Sequence, residues 1–175
     1  GEGKGATFTV TLPVRAVIAS LEEAAAAPSS VEISRELAGV RALVVDDEND
    51  ARELIETALT QYGAEVVAVG SAAEAYSLIT TTPPQMRPNV MVIDIGMPDE
   101  DGYSLIRRVR KWEREQGFHI PAMALTAYGR VKDRVRALNA SFQMHIAKPV
   151  DPAELAAVIT SLIRRLNGGS VNSRR

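Results

Sequence analysis

The sequence predicts a doubly wound α/β domain built on a five-stranded parallel sheet, spanning residues 40–167. Two observations carry this. Five short apolar runs recur, each closed by a turn signal, and segments with helical spacing lie between and after them. Four-residue runs bounded in this way suit strands, and near-continuous apolar strands belong to a parallel sheet covered on both faces.

The runs are ALVV at 42–45, VVAV at 66–69, VMVI at 90–93, AMAL at 122–125 and MHIA at 144–147. After the first, Leu54, Ile55, Ala58, Leu59 and Tyr62 repeat at helical spacing; after the second, Ala72, Tyr76 and Ile79; after the third, Leu105, Ile106, Val109 and Trp112. The fourth helical segment, with Val131, Val135 and Leu138, has the weakest pattern, and the fifth is marked by Leu155, Val158, Ile159, Leu162 and Leu166. Outside this repeat, Phe8, Val10 and Leu12 alternate with threonines as in a half-buried strand that Pro13 ends. Residues 15–39 read as a linker, and 168–175 as a disordered tail.

Composition narrows the function. Of 175 residues, 46% are hydrophobic and 24% charged, a globular balance, and a net charge of -2 gives no overall pull toward nucleic acid. The absence of cysteine removes disulfides and thiolate chemistry, so a cytoplasmic location is expected. No apolar run approaches the roughly 18 residues of a membrane span, and no membrane contact is expected. No effector domain is expected after residue 167, and hence no nucleic-acid binding by this chain.

In doubly wound sheets ligands sit outside the carboxyl ends of the strands. The residues there are Asp46 and Asp47, Asp94, Thr126 and Lys148. Three converging carboxylates repel unless a cation joins them, and a hard divalent ion with oxygen ligands, Mg2+, together with Lys148 would supply that charge. Magnesium takes few carboxylates and often phosphate oxygens, so phosphoryl chemistry follows: Asp94 as nucleophile, with Lys148 and Thr126 on the phosphoryl oxygens. The loop GMPDEDG at 96–102 can turn the Gly96 carbonyl toward the metal, and a cis Lys148-Pro149 bond would aim the amine inward.

VVDDE, VIDIGMPDEDG, ALTAY and KPVD, in this order and spacing, resemble the receiver domain of two-component response regulators, a flavodoxin-like (βα)5 fold. The resemblance implies that Asp94 accepts a phosphoryl group from a phosphohistidine on a kinase core or phosphotransfer protein. It implies that Asp47, Asp94 and the Gly96 carbonyl bind Mg2+ directly and Asp46 through water, and that Thr126 and Lys148 sense and hold the phosphate. GEGKGATFTVTLPV at 1–14 resembles the last glycine box and strand of a histidine-kinase ATPase domain, so the chain looks like the carboxyl-terminal part of a hybrid histidine kinase. The earlier nucleotide-binding motifs are absent, and autokinase activity is not expected of this piece.

Two positions depart from the family pattern. His145 stands where many receivers carry a switching aromatic, and NASF at 139–142 replaces an alanine-glycine pair, so Ser141 is expected to reshape that turn. Each site residue also has a plainer reading when taken singly. Acids cap helices, threonines bond nearby backbone, and lysines are solvated. Their coincidence at four strand ends favours a site. A lone histidine in an apolar strand is more often packed, and the charge-rich RRVRKWERE at 107–115 reads as a solvated helix face. Two rivals remain at this point: a receiver-like docking module that regulates a kinase core without being phosphorylated, and a small aspartyl-using phosphohydrolase.

Overall fold

A computed structural model of the chain describes residues 35–127 and 140–168. The expected strand at 6–14, most of the linker, the segment of Val131, Val135 and Leu138, and the tail beyond 168 lie outside the described residues, as does the side chain of Leu166. Five parallel strands form one sheet in the order β2-β1-β3-β4-β5: β1 Arg41–Val45, β2 Glu65–Val69, β3 Val90–Asp94, β4 Ala122–Thr126 and β5 Met144–Ala147. Four helices are described, α1 Asn49–Gln61, α2 Ala72–Thr81, α3 Gly102–Gln116 and α4 Pro152–Gly168. The predicted fold class is the one observed.

The period-two alternation of the strands divides the core into two layers. Leu43, Val45, Met91 and Ile93 face α2 and α3, where they meet Ile79, Ile106 and Val109. Ala42, Val44, Val92 and Leu125 face α1 and α4, against Ile55, Leu59 and Ile159. Each such fully buried large side chain stabilises the fold by about 1.5–3 kcal/mol of apolar transfer.

Local chemistry sets the helix ends. Ser71 Oγ accepts the Glu74 N–H at 3.2 Å while Glu74 Oε2 accepts the Gly70 N–H at 3.2 Å, a reciprocal cap that starts α2. Asp101 Oδ1 accepts the Ser104 N–H at 2.7 Å to start α3, and Gly117, at φ 73°, ends it in the left-handed region. A short 3-10 turn at Pro84–Met86, not foreseen from the sequence, leads into β3.

Three expectations change. Leu37, assigned to the linker, is fully buried and its N–H donates to the Tyr62 carbonyl at 3.0 Å, so packing begins before residue 40. Leu54, assigned to the buried stripe of the first helix, is 58% exposed because Ile55, Ala58 and Leu59 already fill the inward face. The charged run at 107–115 is not a uniformly solvated face. Arg110 and Glu113 are buried, joined by 2.8 and 2.7 Å hydrogen bonds, and Glu113 Oε1 also accepts the Ile120 N–H at 2.8 Å. Arg110 further donates to the carbonyls of Ile120 (2.7 Å) and Ser141 (3.1 Å). Burial pushes the Arg110 pKa down, and its hydrogen bond and attraction to Glu113 only partly oppose this. Ser141, expected to reshape its turn, adopts φ 74°, the left-handed conformation that favours glycine, and its carbonyl is one that Arg110 holds.

Candidate functional site

The sheet register brings the carboxyl ends of the strands level. Val45 pairs with both Val69 and Ile93, Asp94 with Leu125, and Thr126 with Ala147. Asp46, Asp94, Thr126 and Lys148 therefore converge, although Asp94 and Thr126 are the last residues of their strands rather than the first beyond them. The sheet reverses its winding direction between β1 and β3, which opens a crevice at that point.

One carboxylate oxygen from each of Asp46, Asp47 and Asp94 lies within 4.8 Å of the others. Asp46 and Asp94 are buried, while Asp47 is exposed. Lys148 Nζ reaches between them, 2.7 Å from Asp46 Oδ2 and 3.2 Å from Asp94 Oδ2. Burial works to lower the Lys148 pKa, but its close contact with the Asp46 carboxylate and the charges of Asp94 and Asp46 outweigh it and leave the pKa raised. This stabilisation is complete below the ordinary lysine range and is lost as pH climbs through the raised value.

The surrounding backbone fixes this geometry. Asp46 Oδ1 accepts the Glu48 N–H at 3.0 Å, and the Asp46 N–H donates to the Val69 carbonyl at 3.2 Å. The Lys148-Pro149 peptide is cis, as the sequence suggested, and the Lys148 N–H donates to the Thr126 carbonyl at 2.8 Å. Thr126 is buried at its strand end. Gly96 lies against the Asp94 carboxylate, such that a Cβ there would sit 3.6 Å from Oδ2. At Gly102 a side chain is excluded, since a Cβ would collide with the Asp94 carbonyl oxygen and come within 3.0 Å of the Ile95 Cα.

Sequence reasoning missed Arg52. It donates from Nη1 to the Asp46 carbonyl at 2.6 Å and bonds Asn49 as well, clamping the loop that carries the two adjacent acids. Its place one turn into a helix gave no signal of this. His145 is partly buried in β5, where its register partner is Ala124 of β4, and Thr126 lies two positions further along that strand.

The residues present suit a hard divalent cation. Three carboxylates meet where one ammonium group reaches two of them, an all-oxygen donor set with excess negative charge. The buried Asp46 Oδ2 has the Lys148 charge 2.7 Å away but no directed hydrogen bond among the described residues. A buried oxygen left in that condition is costly unless a further cation or water serves it.

A doubly wound domain with acids from β1 and β3 meeting at the crevice, and a lysine after β5, is the arrangement to set beside known proteins. The family model of the response regulator receiver domain matches residues 42–160, and the chain belongs to that family. It is 43% identical over 123 residues to an uncharacterized 14.6 kDa protein of Leptolyngbya boryana, covering 70% of this chain and 89% of that one. It is 37% identical over 131 residues to the probable transcriptional regulator ycf27 of Cyanophora paradoxa, covering 75% of this chain and 51% of the relative. The chain thus spans about half the length of the ycf27 relatives it matches. Among solved structures, the signal receiver domain of a signal transduction histidine kinase from Syntrophus aciditrophicus superposes with a TM-score of 0.60 at 27% identity, covering 77% of this chain and 95% of that one. Among the described residues, no helix is long and apolar enough to cross a membrane.

Proposed function

We propose that the chain is a phosphoacceptor receiver in which Asp94 takes a phosphoryl group from a phosphohistidine. The observation that carries this reading is the meeting of Asp46, Asp47 and Asp94 within 4.8 Å, with Lys148 Nζ 3.2 Å from Asp94. An Asp94 carboxylate oxygen attacks the phosphorus in line, the P–N bond breaks as the O–P bond forms, and the electron pair leaves on the imidazole nitrogen, which takes up a proton. Lys148 moves its charge onto the phosphoryl oxygens, and Thr126 donates its hydroxyl to them.

Asp47, Asp94 and the Gly96 carbonyl would hold Mg2+ directly and Asp46 through water, and the ion when bound would supply the positive charge that crowded carboxylate and phosphoryl oxygens need. Arg52 and the Glu48 N–H keep Asp46 fixed meanwhile. The donor seats beside the site, where exposed Leu54 and Pro149 and half-buried Ala51 border a cavity of about 360 Å3 that Lys148 also lines. Engagement of Thr126 then shifts the surface around the Thr126 and His145 segments.

The likeness of residues 1–14 to the end of a kinase ATPase domain supports a hybrid histidine kinase as the parent protein, and a cytoplasmic setting for the phosphotransfer. The longer ycf27 relatives support a second parentage, a transcriptional regulator. Intact-mass measurement after incubation with acetyl phosphate, or with a phosphohistidine protein, tests the shared core of both: one phosphoryl group is expected with Mg2+ and none on D94N. No added mass under any donor would instead favour the unphosphorylated docking module.

A further inference from the structure

The amino-terminal end of the sheet carries a cleft that this chemistry does not use. Its volume is about 610 Å3, inside the range of roughly 300–1,000 Å3 typical of small-molecule sites. Arg41 at the start of β1, Arg87 after the 3-10 turn, Gln116 at the end of α3, Phe118 and His119 before β4, and Ile163 of α4 lie around it. Among the described residues no carboxylate lines it. Across five-residue strands, this end is on the order of 15 Å from the acids.

Each arginine is held through its Nε, and among the described residues no carboxylate compensates its charge. Arg41 Nε donates to the Arg87 carbonyl at 2.9 Å, and Arg87 Nε to the Thr82 carbonyl at 3.0 Å. The Arg87 guanidinium lies over two aromatic rings, 4.9 Å from the centre of Trp112 and 4.7 Å from that of Phe118. Among the described residues neither arginine has an ion-pair partner, and their terminal N–H groups have no acceptor. The contrast with Arg110 is direct, since that guanidinium is consumed by Glu113 and three further acceptors. His119 is already shared with Glu113, at 3.0 Å from Nδ1 to Oε2, so the arginines carry the cleft's free charge.

We propose that this cleft binds a small organic anion, a phosphate monoester or carboxylate on an apolar and preferably aromatic body. Arginine forks suit either oxyanion, and Phe118 and Ile163 offer the surface that would cover the body. The concave, partly apolar lining favours a compact molecule over a long polyanion, which would need an extended basic face.

The test is an amide-resolved titration of the full chain without Mg2+, using phenyl phosphate, benzoate and inorganic phosphate, with a short DNA duplex as a further arm. Saturable shifts at Asn89, Phe118, His119 and Ile120 are expected for the two aromatic anions. Arg87→Gln and Arg41→Gln should each weaken binding about tenfold, the loss of a charged hydrogen bond. Because Arg87 also supports the aromatic pair, Arg41→Gln with an unchanged urea midpoint is the decisive variant. Shifts confined to the loops around Asp46 and Asp94, affinities unaltered in Arg41→Gln, inorganic phosphate binding as tightly as phenyl phosphate, or a preference for the duplex would each overturn the proposal.

Discussion

The two ends of this sheet handle buried charge in opposite ways. At the amino-terminal end, Arg110 and Glu113 are paired with each other, and their remaining hydrogen-bonding groups reach Ile120, Ser141, Gln143 and His119. At the carboxyl-terminal end, three carboxylates meet and one lysine reaches two of them, and among the described residues Asp46 Oδ2 lacks a directed donor. Saturated charge fixes a structure; unsaturated charge leaves capacity for a ligand. The first arrangement is intelligible as architecture alone, whereas the second has an electrostatic cost that only binding relieves.

Substitutions can break this contrast, and the largest effect is expected at Asp94. D94N should abolish phosphoryl acceptance entirely while leaving a cooperative urea transition; retained acceptance, read by intact mass, would move the nucleophile elsewhere. Next, Glu113→Ala should cost about 3–5 kcal/mol in urea unfolding, because it strands the Arg110 guanidinium and the Ile120 N–H without a partner. A double variant with Arg110→Met and Glu113→Leu should recover most of that loss, and failure to recover would show that the network does more than balance its own charges.

Gly102→Ala should destabilise by roughly 1–3 kcal/mol, since the added methyl meets backbone rather than a yielding side chain. It should also slow phosphoryl acceptance, by displacing Asp94. The smallest effect sharpens the comparison most. Asp47→Asn should stabilise the Mg2+-free protein by about 0.5 kcal/mol, through relief of repulsion near Asp46 and Asp94, and thermal melting should show that advantage vanish or reverse when Mg2+ is added. A loss of stability without the ion would mean that the acids are not in excess.

Much of this contrast can be read from sequence, though unevenly. Buried parallel strands such as VMVI and AMAL are apolar on both faces, so they stand out without any tertiary information. Residues at strand ends inherit their meeting place from the doubly wound order, which is why Asp46, Asp94 and Lys148 were identified as neighbours. The Arg110 and Glu113 pair was harder to see because charge normally marks the solvated side of a helix. Their phase held the clue: Arg110 is four residues beyond Ile106, and Glu113 four beyond Val109, both on the buried stripe. Leu54 fails for the converse reason, an apolar residue one step off a face already filled. Leu37 is buried in the layer of Ile55 and Leu59 and tied by its N–H to the Tyr62 carbonyl, and local pattern contains no trace of such distant partners.

The 2.8 Å bond from the Lys148 peptide N–H to the Thr126 carbonyl ties two strand termini by main chain alone. The ammonium group and the hydroxyl consequently ride on a single strut, and neither can be retuned in position without dragging the other along. Variation confined to their side chains would alter reach or charge while leaving that mechanical linkage intact.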